Sequence, residues 1–317
     1  MRLVMMGTGT FAEPTFQALL ASRHEVAGLV TNPDRPSGRE REMVRQIKAL
    51  AVERAVPVFQ PESVNTPEGV EAVRAFRPDL LVVAAYGQIL SADVLNAAAN
   101  GGINVHASLL PKYRGAAPIA WAIWNGETRT GVTIIRMSTK LDAGDMLAQE
   151  AVDILPDETE GELEARLAPV GARLASAVIE QIEAGTVRGV KQDPAQVTKA
   201  PKLKKEHGLI DWSQTAARVC CQIRAVQPWP TAYTFWHRPG QPPLRLIVTQ
   251  AVVMDANRSM PPGSVSEVTK DRLAIAAGNG LVGLLRLQPS GKRLMDVAEF
   301  LRGHRVQVGE RLGGEDS

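Results

Sequence analysis

Cysteine is almost missing from this chain: there are two, Cys220 and Cys221, side by side. Neighbours in sequence rarely bridge, because a disulfide needs a Cα separation and side-chain directions that adjacent residues do not offer. No spacing suits a zinc site either. A disulfide scaffold and a structural metal are therefore not expected, and a reduced cytoplasmic compartment is. Long apolar runs are missing as well. The longest is LLVVAAY, Leu80–Tyr86, far short of a membrane-spanning helix. The opening MRLVMMGTGTF has too brief an apolar stretch for a secretory leader and reads as a strand. Strong charge of one sign is lacking too. The net is +2, so the composition as a whole announces no polyanion partner. The distribution says more. Residues 1–200 hold 20 Lys and Arg against 24 Asp and Glu, a net of −4, while residues 201–317 hold 16 against 10, a net of +6. That asymmetry fits a C-terminal part that meets a polyanion, or a solvated basic face.

What is present is an ordinary globular balance, 44% hydrophobic and 22% charged, which can bury a sizeable core; 317 residues suggest two domains. RLVMMGTG, EVAGLVT, PVFQP, DLLVVAAYG and GGINVHA read as strands, alternating with segments of helical spacing such as FAEPTFQALLASR, MVRQIKALAVERA and PEGVEAVRAF. Strands that alternate with helices and are apolar on both faces imply a parallel sheet covered on both sides. AAPIAWAIWNG reads as a helix, GVTIIRM as a further strand and LAQEAVDIL as an antiparallel one. GELEARLAPVGARLASAVIEQIEAG is a long amphipathic helix that Pro169 is expected to kink or divide. From Gly189 the chain turns polar and aperiodic, which suggests a linker. Beyond it, after the short helix SQTAARVCCQIRAV, come short strands broken by turns. The expected fold class is thus α/β: a Rossmann-like, mostly parallel N-terminal sheet flanked by helices, over residues 1–188, and a linker over 189–207. A smaller β-barrel domain, of oligonucleotide-binding type, should follow over 208–317.

Two constellations could carry chemistry. Gly7-Thr8-Gly9 after the first strand resembles the start of a dinucleotide fingerprint, but the second strand ends in Thr31-Asn32, with no acidic residue to hold a ribose. A tight strand-to-helix turn explains it better. In INVHASLLPKYRG, apolar Ile103 and Val105 alternate with Asn104 and His106, so the two polar side chains share one face of a strand. STKLDAGDM, after GVTIIRM, supplies Asp142 and Asp145. Neighbouring parallel strands deliver their C-terminal ends to one edge of a sheet, which would bring Asp142 to face His106. A carboxylate beside an imidazole favours the charged ring and fixes its orientation. An amide and such a ring can then donate to a developing oxyanion. Sequence motifs for a serine elbow, a zinc protease or a phosphate loop are absent. The residues permit polarisation of a carbonyl without covalent catalysis, that is, an acyl-type transfer.

INVHASLLPKYRGAAPI, GVTIIRMSTKLDAGDM, TNPDRPSGR, PVFQP, VVAAYGQIL, IDWSQTA, IRAVQPWP and LQPSGKR together resemble the methionyl-tRNA formyltransferases, of the folate-dependent formyltransferase superfamily. The resemblance implies transfer of a formyl group from 10-formyltetrahydrofolate, as cosubstrate, to the α-amino group of methionyl initiator tRNA, for translation initiation. No tightly bound cofactor or metal is implied, and a cytoplasmic monomer is. It assigns catalysis to Asn104, His106 and Asp142. It assigns folate contacts to Ser108, Leu109, Leu110 and Pro111, and to Gln88, Ile89 and Leu90. Phe11 would pack against the methionine side chain and Arg39 reach the terminal nucleotide. Lys202, Lys204, Lys205, Arg224, Lys292 and Arg293 would meet the tRNA backbone. Trp229 in PWP is expected to pack in the core or between domains rather than stack on a base. One departure stands out: Glu40-Arg41-Glu42 follows the TNPDRPSGR loop where relatives continue with glycine, lysines and prolines. The rival readings are a formyltransferase acting on glycinamide ribonucleotide or an amino-sugar nucleotide, formyltetrahydrofolate hydrolysis, a noncatalytic RNA-binding protein on the same scaffold, and, weakest, a nicotinamide oxidoreductase.

Overall fold

The computed structural model describes residues 1–34, 39–254 and 260–315, and for 39–43 the backbone only. Its first half contains strands β1 (Arg2–Gly7), β2 (Glu25–Val30), β3 (Val58–Phe59), β4 (Leu80–Ala84), β5 (Gly102–His106), β6 (Arg114–Gly115), β7 (Arg129–Arg136) and β8 (Met146–Asp153). Between them run helices α1 (Glu13–Leu20), α2 (Arg39–Glu53), α3 (Pro67–Ala75), α4 (Ala92–Leu95) and α5 (Pro118–Trp124), and α6 (Glu160–Glu183) follows. Leu3 to Met6 and Leu80 to Ala84 are buried on both faces, as central parallel strands require. Local signals start the helices: the Thr66 hydroxyl accepts the Gly69 N–H ahead of Pro67 at the start of α3.

The main sheet has the order β3-β2-β1-β4-β5-β7-β8. From β3 to β5 all neighbours are parallel, whereas β5 pairs with β7 antiparallel, and so does β7 with β8. The strand order turns back between β1 and β4, the place where open α/β sheets form a crevice at their C-terminal edge. The antiparallel β7 corrects one expectation: its C-terminal end lies beside Ile103, at the start of β5, not beside His106. Asp142 reaches the site by another route, described below. Pro169 does not divide α6, which runs unbroken from Glu160 to Glu183. The stripe Leu163, Leu167, Ala175, Val178 and Ile182 is buried along its length, enough to outweigh a lost backbone hydrogen bond.

The chain forms two compact units. One comprises Met1–Pro118, Arg129–Asp153 and Glu162–Pro201; the other comprises Ile119–Thr128, Ile154–Gly161 and Lys202–Ser317. The expected linker is well organised up to Pro201. It holds β9 (Lys199–Ala200), paired in parallel with β6, and a bridge between Val190 and Met146.

In the second unit, α7 (Ala216–Ala225) is capped by the Thr215 hydroxyl and followed by β10 (Ala232–Arg238), β11 (Gln241–Met254), β12 (Val265–Val268), β13 (Leu273–Ala276), β14 (Leu281–Pro289), β15 (Met295–Asp296), α8 (Val297–Gly303) and β16 (Arg311–Gly313). The sheet order is β12-β13-β14-β11-β10-β16, with β15 on β14. Its two edges meet: Ser264 bridges Arg311, Val265 N–H donates to Glu310 O at 2.8 Å, and Leu312 N–H to Gly263 O at 2.7 Å. The sheet thus curls into the expected barrel. Trp212 is buried within this unit and donates its indole N–H to the Thr234 hydroxyl at 3.1 Å. Among the described residues no helix is long and apolar enough to cross a membrane.

Candidate active site

Asn104 and His106 stand on one face of β5, as their alternation with Ile103 and Val105 requires. Asn104 is paired with Val83 of β4 and with Ile135 of β7, so it sits well inside the sheet. His106 is 5% exposed and ends the strand. Its Nε2 lies 3.0 Å from the Tyr113 carbonyl, which identifies that nitrogen as a donor and fixes the ring. Nδ1 faces the Asp142 carboxylate at 3.7 Å. Asn104 Nδ2 is 3.5 Å from the other oxygen of the same carboxylate. An amide nitrogen and a ring nitrogen therefore converge on one carboxylate, each held at the long end of contact.

Asp142 arrives from a loop rather than from a strand end. After β7 the chain folds back over the sheet before β8 begins. Gly144 makes that return possible, since a Cβ there would fall 1.7 Å from the Arg136 carbonyl oxygen. Asp142 itself adopts a φ of +47°, a left-handed conformation that costs free energy and clusters at functional sites. Its Oδ2 accepts the Gly115 N–H at 2.9 Å, and its carbonyl accepts the Gln192 amide at 2.8 Å. Asp145, the alternative carboxylate, lies against Gly189 instead.

The residues assigned to folate are arranged unequally. Ser108 is fully buried and spends its hydroxyl on the Lys112 carbonyl at 2.7 Å, shaping the loop. Thr133 donates to Ser108 O at 2.6 Å and accepts Leu110 N–H at 3.2 Å, and Gln149 donates to Leu110 O at 2.9 Å. Leu110 is buried, while Leu109 and Pro111 are half-buried at the loop's surface. Gln88 accepts the Val64 N–H at 3.0 Å and donates to Glu62 O at 3.3 Å, so its amide braces a neighbouring loop. Leu90 is buried, whereas Ile89 is 58% exposed. Side chains free for a flat ring are thus Ile89, Leu109 and Pro111.

Phe11 is buried near Gly171 of α6. The side chain of Arg39 lies outside the described residues; the backbone from Arg39 onward, Glu40-Arg41-Glu42 included, is helical. The Gly7-Thr8-Gly9 turn is tied to the end of β2 by a Thr8–Thr31 hydroxyl pair at 3.0 Å, as a packed turn would be.

Lys202, Lys204 and Lys205 are exposed, Lys204 within 3.5 Å of Glu206, and Lys292 is exposed too. Arg293 is paired with Glu299. Arg224 donates to the Glu158 carbonyl at 3.0 Å, a structural use of the guanidinium. Trp229 corrects its expectation: at 41% exposed it is a surface residue, held between Pro228 and Pro230. Burial pushes the Cys220 thiol up to about 11, so it is no nucleophile near neutral pH. His24, Glu180 and Glu183 lie close enough for a metal, but Arg23 bridges both carboxylates and holds the Glu180 carboxyl below its usual range.

Sequence reasoning missed the supports: Tyr113, Gly115, Thr133, Gln149, Gln192 and Thr198. Thr133 left a trace, as the one polar residue in the run Gly131–Ile135 of β7. The others left none: most of their bonds cross long stretches of chain, and Tyr113 holds His106 through a backbone carbonyl, which any residue carries.

The family profile described as formyl transferase matches residues 1–179, and that of the formyl transferase C-terminal domain matches residues 202–305. A protein named methionyl-tRNA formyltransferase from Solibacter usitatus is 44% identical over 99% of each chain. Another of that name from Bacillus subtilis is 42% identical over 98% of each. Among solved structures, WlaRD, a sugar 3N-formyl transferase solved in the presence of dTDP and 5-N-formyl-THF, superposes with a TM-score of 0.66 at 17% identity, covering 92% of this chain and 99% of its own. HypX from Aquifex aeolicus, in complex with tetrahydrofolic acid, gives 0.56 at 18% identity over 95% of this chain and 46% of its own. These two share the fold. With both profiles matched in order and such identity kept from end to end, the chain belongs to the formyl transferase family, among the methionyl-tRNA formyltransferases.

Proposed function

We propose that this chain transfers the formyl group of 10-formyltetrahydrofolate to the α-amino group of methionyl initiator tRNA, and that Asn104, His106 and Asp142 carry the reaction. The observation that supports this is the convergence of Asn104 Nδ2 and His106 Nδ1 on Asp142 at 3.5 and 3.7 Å. With Nε2 on the Tyr113 carbonyl and Nδ1 facing Asp142, the doubly protonated ring has an acceptor at each nitrogen. The neutral amine attacks the formyl carbon, forming the new C–N bond and placing negative charge on the formyl oxygen. Toward Asp142, Asn104 Nδ2 and His106 Nδ1 are only loosely engaged beforehand. They therefore gain more from the oxyanion than they lose, the condition for selective stabilisation of the transition state. Collapse breaks the bond to the folate nitrogen, which takes up, by way of water, the proton that the attacking amine gives up.

Ile89, Leu109 and Pro111 form the apolar side of the donor site, and buried Ser108, Gln88, Leu110 and Leu90 shape it. Phe11 lies under the methionine pocket and Arg39 serves the acceptor end. The first unit carries the chemistry; the second meets the tRNA backbone through Lys202, Lys204, Lys205 and Lys292, with Arg224 and Arg293 in supporting bonds. The enzyme acts as a cytoplasmic monomer.

The test offers methionyl initiator tRNA and glycinamide ribonucleotide in parallel with radiolabelled donor. Label on the tRNA supports the proposal. Label on the ribonucleotide alone keeps the chemistry and rejects the acceptor.

A further inference from the structure

We propose that Gln192 is the positioning residue for Asp142, and that the segment around it, residues 190–200, straps the site together. The proposal rests on the role given to Asp142 above. Gln192 uses its whole side-chain amide. Nε2 donates to the carbonyls of Asp142 and Gly144, each at 2.8 Å, while Oε1 accepts from Arg114 Nε at 3.0 Å and Nη2 at 2.7 Å. A side-chain amide has two donor hydrogens and two acceptor lone pairs, so every bond it can make here is made.

The same segment grips the other side of the site. Thr198 Oγ1 accepts the Tyr113 N–H at 2.8 Å, and Thr198 O accepts Arg114 N–H at 2.9 Å. β9 then runs beside β6, and Ala200 O accepts Ala117 N–H at 3.2 Å. At the upstream end, Val190 and Met146 exchange two backbone bonds of 2.8 Å. These attachments matter because of what their partners do. Tyr113 O holds His106 Nε2, and Gly115 N–H holds Asp142 Oδ2. One short segment thus fixes the residue that orients the imidazole, the residue that binds the carboxylate, and the backbone that carries that carboxylate.

Asp142 needs such support. It sits in a left-handed conformation on a loop between two strands, and strained loop conformations persist only when their surroundings over-determine them. Gln192 supplies two of the determining bonds. Those bonds run to backbone carbonyls and to Arg114, so Gln192 acts through Asp142 and not on the substrate.

The experiment is a double-mutant cycle on formyl transfer with donor and methionyl-tRNA each titrated to saturation, using Gln192→Met, Asp142→Asn and the pair, with Gln196→Ala as a neighbouring control. Gln192→Met removes all four bonds at similar volume. Gln192→Glu keeps an acceptor for Arg114 but turns carboxylate oxygens on the Asp142 and Gly144 carbonyls. Both Gln192 variants are expected to lower kcat by about tenfold to a hundredfold, the scale of a small misplacement of a reacting group, with KM for donor and tRNA unchanged. In the Asp142→Asn background Gln192→Met should add little. A full additional loss in that background would overturn the proposal, as would normal kcat in both Gln192 variants or a loss confined to KM. Normal turnover in Asp142→Asn itself would instead overturn the role given to the charge of Asp142. Should Gln192→Met not fold, Gln192→Glu with Asp142→Asn completes the same cycle.

Discussion

Asp142 and Gly115, far apart in sequence, are joined by a single hydrogen bond of 2.9 Å from the glycine N–H to the carboxylate. Gly115 has a φ of +133°, and a Cβ there would stand 2.3 Å from the Ala200 carbonyl oxygen. Both the conformation and the space require glycine. Gly115→Ala should therefore destabilise the protein by about 1–3 kcal/mol, the usual scale of overpacking, and lower kcat by loosening Asp142. Thermal unfolding and turnover measured side by side check this. An unchanged melting temperature with normal turnover would refute it.

The charge on Asp142 matters beyond its place in the loop. Asp142→Asn keeps an oxygen for the Gly115 N–H but removes the carboxylate facing His106 Nδ1 at 3.7 Å. Turnover should fall by about a hundredfold, within the range for one group of an oxyanion site, while the melting temperature stays near that of the wild type. Equal rates for Asn and Asp would mean that position, not charge, is what the site needs.

Salt dependence tests the second unit. Lys202, Lys204 and Lys205 are exposed beside one another, where phosphates would release counterions. Replacing all three by alanine should weaken tRNA binding and flatten the plot of log affinity against log salt by about two to three units. The formyl donor should bind as before. A slope that does not move would place the tRNA elsewhere.

Cys220 gives a pH-dependent signal unrelated to catalysis. Burial, with Cys221 beside it, pushes its thiol up to about 11, above its value in the unfolded chain. Its contribution to stability is therefore complete below the unfolded value and is lost as pH rises through the folded one. At pH about 8 the native thiol should react with iodoacetamide much more slowly than the same thiol in urea, because the thiolate is the nucleophile. Mass spectrometry of the quenched peptide measures both rates. Equal rates would show that the site is open.

The pair on β5 was legible because strand geometry is local: INVH alternates, and alternation puts Asn104 and His106 on one face whatever surrounds them. The parallel sheet and the strands of the barrel were legible for the same reason. Asp142 was reached by a motif but for a wrong geometrical reason, since β7 runs antiparallel to β5 and a returning loop does the work. Strand direction depends on the connection through α5, which periodicity does not encode. Gln192 falls in the segment whose composition suggests a linker. Its segment is polar and aperiodic because it works through hydrogen bonds to distant backbone, and such bonds leave no period to detect. Trp229 was misplaced by the general habit of tryptophan to be buried, which gives way here in a surface loop between two prolines.

Single-turnover formyl transfer to methionyl initiator tRNA by the wild-type protein and by His106→Ala tests the central claim most directly. His106 is buried and bonded to Tyr113 O, so melting temperatures should be recorded with the rates. A loss of at least about a hundredfold in the chemical step, corresponding to roughly 2.7–4 kcal/mol for one oxyanion donor, with tRNA and donor affinities retained, is the expected result. A folded His106→Ala protein that transfers formyl at near-normal rate would contradict the account.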